Sequence, residues 1–179
     1  MPRIAPLDPP YPADVQASFD ALMKGAPPLM LFRTVARSPR VWEKFRGGSL
    51  LDRGPLGLRD RELVIDRTCA LAGCEYEWGV HIAAFAAAAK LTPEEIAATA
   101  GVGSAASIWT DSERVLLQTA EALHRRATLS DAEFAALSAH YDADQVLEVL
   151  LLCGFYRMVA YVANGLDLEP EATAARFFA

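Results

Sequence analysis

No stretch of the chain alternates apolar and polar positions convincingly over the length of a strand, whereas helical start and stop signals recur from end to end. After the extended, proline-rich entry "DPPYP", Pro12 can sit in the first turn of a helix reaching about Lys24. "PPLMLFRTVARSP" reads as a short helix closed before Pro39, and "PRVWEKFRGG" as another, ended by Gly47 and Gly48. "LDRGPLG" is a loop. A mostly apolar helix covers Leu58 to Ala72, Gly73 interrupts it, and a second runs from about Glu75 to Lys90. Thr92, Pro93 and Glu95 spell a capping box for a short helix. "GVGSAAS" is a loop, and "TDSERVLLQTAEALHRRA" a long amphipathic helix that begins at a cap. Ser130 and Glu133 open the next helix. "DADQVLEVLLLCGFYRMVAYVANGL" is apolar nearly all round in its middle, so it belongs in a core or an interface; Asn164-Gly165 closes it. The pattern predicts an all-α bundle of eight or nine helices with no sheet.

Length and charge narrow this picture. At 179 residues, 53% hydrophobic and 22% charged, the chain suits a single domain with a sizeable core. A net charge of −6 argues against non-specific nucleic-acid binding, which needs a basic face. No segment has the pattern of a signal peptide or an unbroken membrane-length apolar run; the longest, "VLEVLLLCGF", carries Glu148. The expectation is a cytoplasmic protein with no membrane partner. Three cysteines, Cys69, Cys74 and Cys153, without C-x-x-C spacing imply no disulfide framework.

Candidate chemistry concentrates in "GCEYEWGVH", residues 73–81. A helix that restarts after Gly73 places Cys74 at its N-terminus, where the helix dipole favours a thiolate. Glu77 and His81 share one face at i,i+4, with Cys74 one turn before Glu77. A solvated helix face accounts for the same spacing. A metal site would need a third ligand, which no nearby histidine supplies, so no metal and no cofactor are expected. The preceding helix adds Glu62 and Asp66, two carboxylates in an apolar segment, which must be paired or hydrogen-bonded; Arg59 or Arg67 could pair with them. A fold-back at Gly73 would instead bring Glu62 to His81, an acid and a base in a largely apolar pocket. Tyr76 and Trp78 read first as packing residues, as do Tyr156, Tyr161 and Asn164, and His124 and His140 carry no signal.

These residues resemble the carboxymuconolactone decarboxylase and AhpD-like superfamily. The AhpD peroxidase branch has a glutamate, eleven residues, a cysteine, two residues, a second cysteine, three residues and a histidine. Here Glu62, Cys74, Glu77 and His81 keep every interval, with Glu77 in place of the second cysteine and Tyr76 in place of a relay histidine. "RDRELVI" and "CEYEWGVH" look most like the decarboxylase-type members.

The resemblance implies an AhpD-like orthogonal helical bundle, with a helical extension over 1–57, the family core over 58–99 and C-terminal helices over 110–168. It implies a homo-oligomer (dimer, trimer or hexamer), as do the apolar last helix, Trp42, Phe45 and the terminal "ARFFA". It further implies a decarboxylase-like small-molecule enzyme whose acid–base groups are Glu62, Glu77 and His81, with Cys74 beside them. Tyr76 and Arg67 are the substrate-binding candidates; Arg33 and Arg37, i,i+4 on one helix, are alternative holders of an anionic substrate. A peroxidase relying on Cys74 alone and a non-catalytic ligand-binding oligomer are the other readings. Repulsion from Glu77 is expected to outweigh the helix dipole narrowly and leave Cys74 a modest nucleophile.

Overall fold

The computed structural model describes residues 2–177 and is helical throughout. Among the described residues the α-helices are α1 (Ala13–Met23), α2 (Met30–Val35), α3 (Pro39–Arg46), α4 (Leu58–Leu71), α5 (Glu75–Phe85), α6 (Pro93–Ala100), α7 (Asp111–Arg126), α8 (Asp131–Ser138) and α9 (Ala143–Gly165). "GVGSAAS" forms one 3-10 turn, Gly103–Ala105. Capping boxes start α6, α7, α8 and α9 at Thr92, Thr110, Ser130 and Asp142.

α4 is the central element and packs on α5, α6, α7 and α9. Its Leu63, Val64 and Ile65 are fully buried, as are Leu116 and Leu117 of α7 and Val149 and Leu152 of α9. α4 and α5 are joined by a tight reversal. Gly73 adopts a left-handed φ of 62°, a conformation a Cβ would penalise, and Cys74 N–H closes the turn on Cys69 O at 2.9 Å. α5 ends at Phe85, short of the predicted Lys90. Ala89 and Leu91 N–H groups take the Phe85 and Ala86 carbonyls, with Lys90 left-handed, so the chain turns rather than continuing the helix.

Among the described residues α9 is the one helix long and apolar enough to cross a membrane by length and composition, an average that Glu148 and Arg157 do not spoil. Here it packs on α4 and α5 through Val149, Leu152, Tyr156 and Val159. Its outer face leaves Leu147, Leu151 and Tyr161 exposed. Trp42 and Phe45 add nothing to that surface: both are buried, in a ring cluster with Phe19, Phe32 and Phe155. Of "ARFFA", Phe178 and Ala179 lie outside the described residues.

After α9 the chain returns across α5 as a strap. Ala175 N–H donates to Gly79 O at 3.1 Å, and a Cβ on Gly79 would stand 2.2 Å from Ala175 O, so this crossing requires glycine. Phe177 lies against Trp78 with ring centroids 5.0 Å apart.

Candidate active site

The hairpin at Gly73 sets α4 against α5 and lays Glu62 beside His81. His81 Nδ1 is 2.8 Å from Glu62 Oε2, and His81 Nε2 lies 3.5 Å from Glu77 Oε1, one helical turn back. All three residues are buried. Glu62 Oε1 accepts from Arg61 at 2.9 Å, and that guanidinium also binds Leu51 O and lies over the Phe85 ring. Tyr156 of α9 meets the imidazole edge-on at 4.9 Å.

Glu62 and Glu77 are met by His81 and Arg61, but not every carboxyl oxygen has a partner. Burial works against an imidazolium at His81, but the Glu62 and Glu77 carboxylates more than offset it and raise its pKa to about 10. Asp66, one turn beyond Glu62, is fully buried and has an oxygen, Oδ1, without a partner. Burial pushes its carboxyl well above the ordinary range; nearby His81 acts in the opposite direction and Glu62 in the same one. Glu77 Oε2 is likewise buried and unpartnered.

That oxygen belongs to a residue of a cavity of about 420 Å³. Glu77, His81 and Glu171 are its polar groups with Thr173; Leu22, Leu29, Phe32, Leu51, Val80 and Phe85 are among its apolar walls, and no Lys or Arg lines it. Glu171 comes from the strap. Its Oε1 accepts from Tyr76 Oη and from Met30 N–H, both at 2.5 Å.

The predicted residues are therefore placed unequally. Glu62, Glu77 and His81 come together, and Glu77 and His81 reach the cavity. Cys74 does not. It is fully buried below the Glu77 turn, its pKa pushed up to about 11, chiefly by burial. The expected contest between helix dipole and Glu77 charge is secondary, because the thiol is desolvated first. Tyr76 lies behind the wall, where its hydroxyl accepts from Leu31 N–H and donates to Glu171, positioning that carboxylate.

Arg67 is a correction. It is buried against α7, bound to Glu121 and to the Thr99 and Gly101 carbonyls. Five positions along a helix rotate a side chain by about 140°, so Arg67 leaves α4 on a different side from Glu62. Nor does Arg59 pair with Glu62; it binds Glu95 and Glu113. Arg33 is tied to Asp8 and Leu7 O. Arg61 and Glu171 were missed. Arg61 is adjacent to Glu62 in sequence, where helical spacing signals no contact. Glu171 lies 95 residues from Tyr76 and carried no local signal.

A sequence model of the carboxymuconolactone decarboxylase family matches residues 36–122. Among curated proteins, sequence comparison finds no match. The fold is shared with solved structures. A peroxidase-related protein from Ralstonia eutropha JMP134, described with an alkylhydroperoxidase AhpD core, is 20% identical with a TM-score of 0.84, over 96% of this chain and 93% of that one. A peroxidase-related protein from Silicibacter sp. TM1040 is 20% identical with a TM-score of 0.81, over 93% and 90%. The debrominase Bmp8, solved as a cysteine-to-alanine variant in complex with 2,3,4-tribromopyrrole, is 16% identical with a TM-score of 0.75, over 95% and 92%.

Proposed function

We propose, for a chain that belongs to the carboxymuconolactone decarboxylase and AhpD-like superfamily of small-molecule enzymes, that its reaction is proton transfer on a largely apolar, uncharged substrate. One observation carries this reading: Glu77 keeps one buried oxygen without a partner at the cavity while the other stands beside the His81 imidazole. Glu77 takes the proton from a substrate N–H, O–H or acidified C–H. The His81 imidazolium then returns one from Nε2, and Glu62, held by Arg61, keeps the ring oriented and its charge compensated.

The lining selects the substrate. A lactone carboxylate would meet Glu77 and Glu171, the one cation on the wall, His81, is already paired with Glu62 and Glu77, and like charges in a dry site repel. An apolar body with one hydrogen-bond donor fits both the walls and the acceptors. The tribromopyrrole bound by the debrominase is such a molecule. The decarboxylase-like reading thus narrows to acid–base chemistry without an anionic substrate. The peroxidase reading loses support, since Cys74 is buried and Cys69 and Cys153 are raised by burial as well. Self-association is also proposed, through the Leu147, Leu151 and Tyr161 face of α9, and light scattering that reports a 19.4 kDa monomer at micromolar concentration would refute it.

The test is a panel of neutral phenols, indoles, pyrroles and carbon acids incubated in D2O and read by NMR. Enzyme-dependent deuterium incorporation, lost in Glu77→Gln while binding persists, is the expected result. Binding without exchange across the panel would instead make the protein a non-catalytic binder. Thiol-dependent peroxide consumption that vanishes in Cys74→Ser would make it a peroxidase.

A further inference from the structure

A second cavity, of about 340 Å³, shares no lining residue with the first. It lies where α4, α7 and α9 meet. Leu123, Ala120 and Leu150 supply apolar wall, and Arg157, His124, Tyr161 and Thr68 supply the polar groups.

Arg157 decides its character. Each of Arg59, Arg61 and Arg67 is paired with a carboxylate. Among the described residues no carboxylate pairs with Arg157. Its Nε–H donates to Tyr161 Oη at 3.0 Å, Nη1 contacts His124 Nδ1, and the guanidinium lies over the Tyr161 ring. A guanidinium has five N–H donors, so three remain unassigned. Burial and then the charges of Arg157, Arg125 and Arg67 hold His124 below its ordinary pKa, so the imidazole is neutral and adds no charge beside Arg157.

Thr68 is the independent second sign. Thr34 and Thr119 donate to the carbonyl four residues back, the usual outlet for a hydroxyl in a helix. Thr68 Oγ1, buried on α4, makes no such bond and has only the weakly bonding Cys153 thiol near it. A buried hydroxyl left without a strong partner costs about 1–3 kcal/mol. A cavity with an unpaired half-buried cation, an unsatisfied hydroxyl and an aliphatic wall suits one kind of guest.

We propose that this cavity binds a small amphipathic carboxylate, with its head on the free Arg157 N–H groups and its apolar body against Leu123, Ala120 and Leu150. The head can also accept from Thr68 Oγ–H. The same carboxylate chemistry could be supplied by an Asp or Glu side chain of a second copy, and the experiment separates the two sources.

Sodium octanoate and sodium benzoate are titrated into the full chain by NMR in chloride buffer, beside octanol and benzyl alcohol as neutral counterparts. Light scattering is recorded at each point. The carboxylates should bind at least tenfold more tightly than the alcohols and shift the amides of Leu123, Leu150 and Gly154. Arg157→Gln should weaken that binding at least tenfold without moving the melting temperature by more than a degree or two, since Arg157 is half-exposed. Thr68→Val should weaken it less, and Glu77→Gln, at the other cavity, should leave it unchanged. Equal affinity for acid and alcohol, or full affinity in Arg157→Gln, overturns the proposal. So does release of monomers as octanoate binds, which would identify the native carboxylate as a side chain of a second copy.

Discussion

α4 carries two kinds of charge. Arg59 and Arg67 each meet acids from other helices, Glu95 and Glu113 for the first and Glu121 for the second, and Arg67 also binds two backbone carbonyls. Every oxygen of those carboxylates has a hydrogen-bond partner, and nothing is left over for a ligand. Glu62 and Asp66 face α5 and α9, where three carboxyl groups gather round one imidazole and two oxygens have no partner. Buried charge is therefore not a sign of function in itself. The unpartnered oxygens are what separate the site from the scaffold on the same helix.

The sharpest way to break that comparison is Glu77→Gln. If the cluster with unpartnered oxygens is the chemical one, turnover on any substrate found by the exchange panel falls by roughly 10²–10⁴, while the melting temperature holds or rises. On the fully hydrogen-bonded side, Arg67→Met should do the reverse. It strands Glu121 in the interior, at about 3–5 kcal/mol of stability, read as a melting temperature lower by roughly 10 °C, with turnover of the remaining folded protein unchanged.

The pH dependence comes next. His81 is raised from 6.5 to about 10, so its contribution to stability is complete below pH 6.5 and is lost as pH rises toward 10. Denaturant midpoints between those pH values should fall steadily, and His81→Gln should flatten the slope. Asp66 acts in the same sense: a carboxyl held neutral by burial is worth least to the unfolded chain below its ordinary value of 3.8 and increasingly destabilises the fold above it. Asp66→Asn should therefore raise stability at pH 7 by about 1 kcal/mol, the size of a small buried-polar adjustment. The smallest effect belongs to Cys74→Ser. With the thiol fully buried and its pKa pushed up to about 11, exchange activity should change less than about threefold, and sulfenic acid trapping in the parent should be slow.

The fold was legible because its signals are local. Thr92–Glu95 and Ser130–Glu133 are read within four residues, and the same boxes form in three dimensions. Gly73 announced the reversal that joins Glu62 to His81, since only a break there allows a fold-back. What stayed hidden depends on how distant segments meet. Glu171 reaches the cavity because the strap crosses α5 at Gly79, and no periodicity in the tail encodes that crossing. Arg61 reaches Glu62 because a long flexible side chain curls back over its own helix. The place of Arg67, on a side of α4 away from Glu62, follows from helical spacing alone.

The strap that crosses at Gly79 also has a consequence for time. Glu171, Thr173 and Ala174 form one side of the cavity, so lifting that segment would widen its mouth. The segment is held over α5 by the backbone bond to Gly79, the Tyr76 and Met30 contacts to Glu171, the Phe177 N–H and Arg176 bonds to Glu75, and the Phe177 ring on Trp78. Ligand residence time and the amide exchange of Ala175 should then change together in variants that loosen the strap, independently of the stability of the bundle beneath.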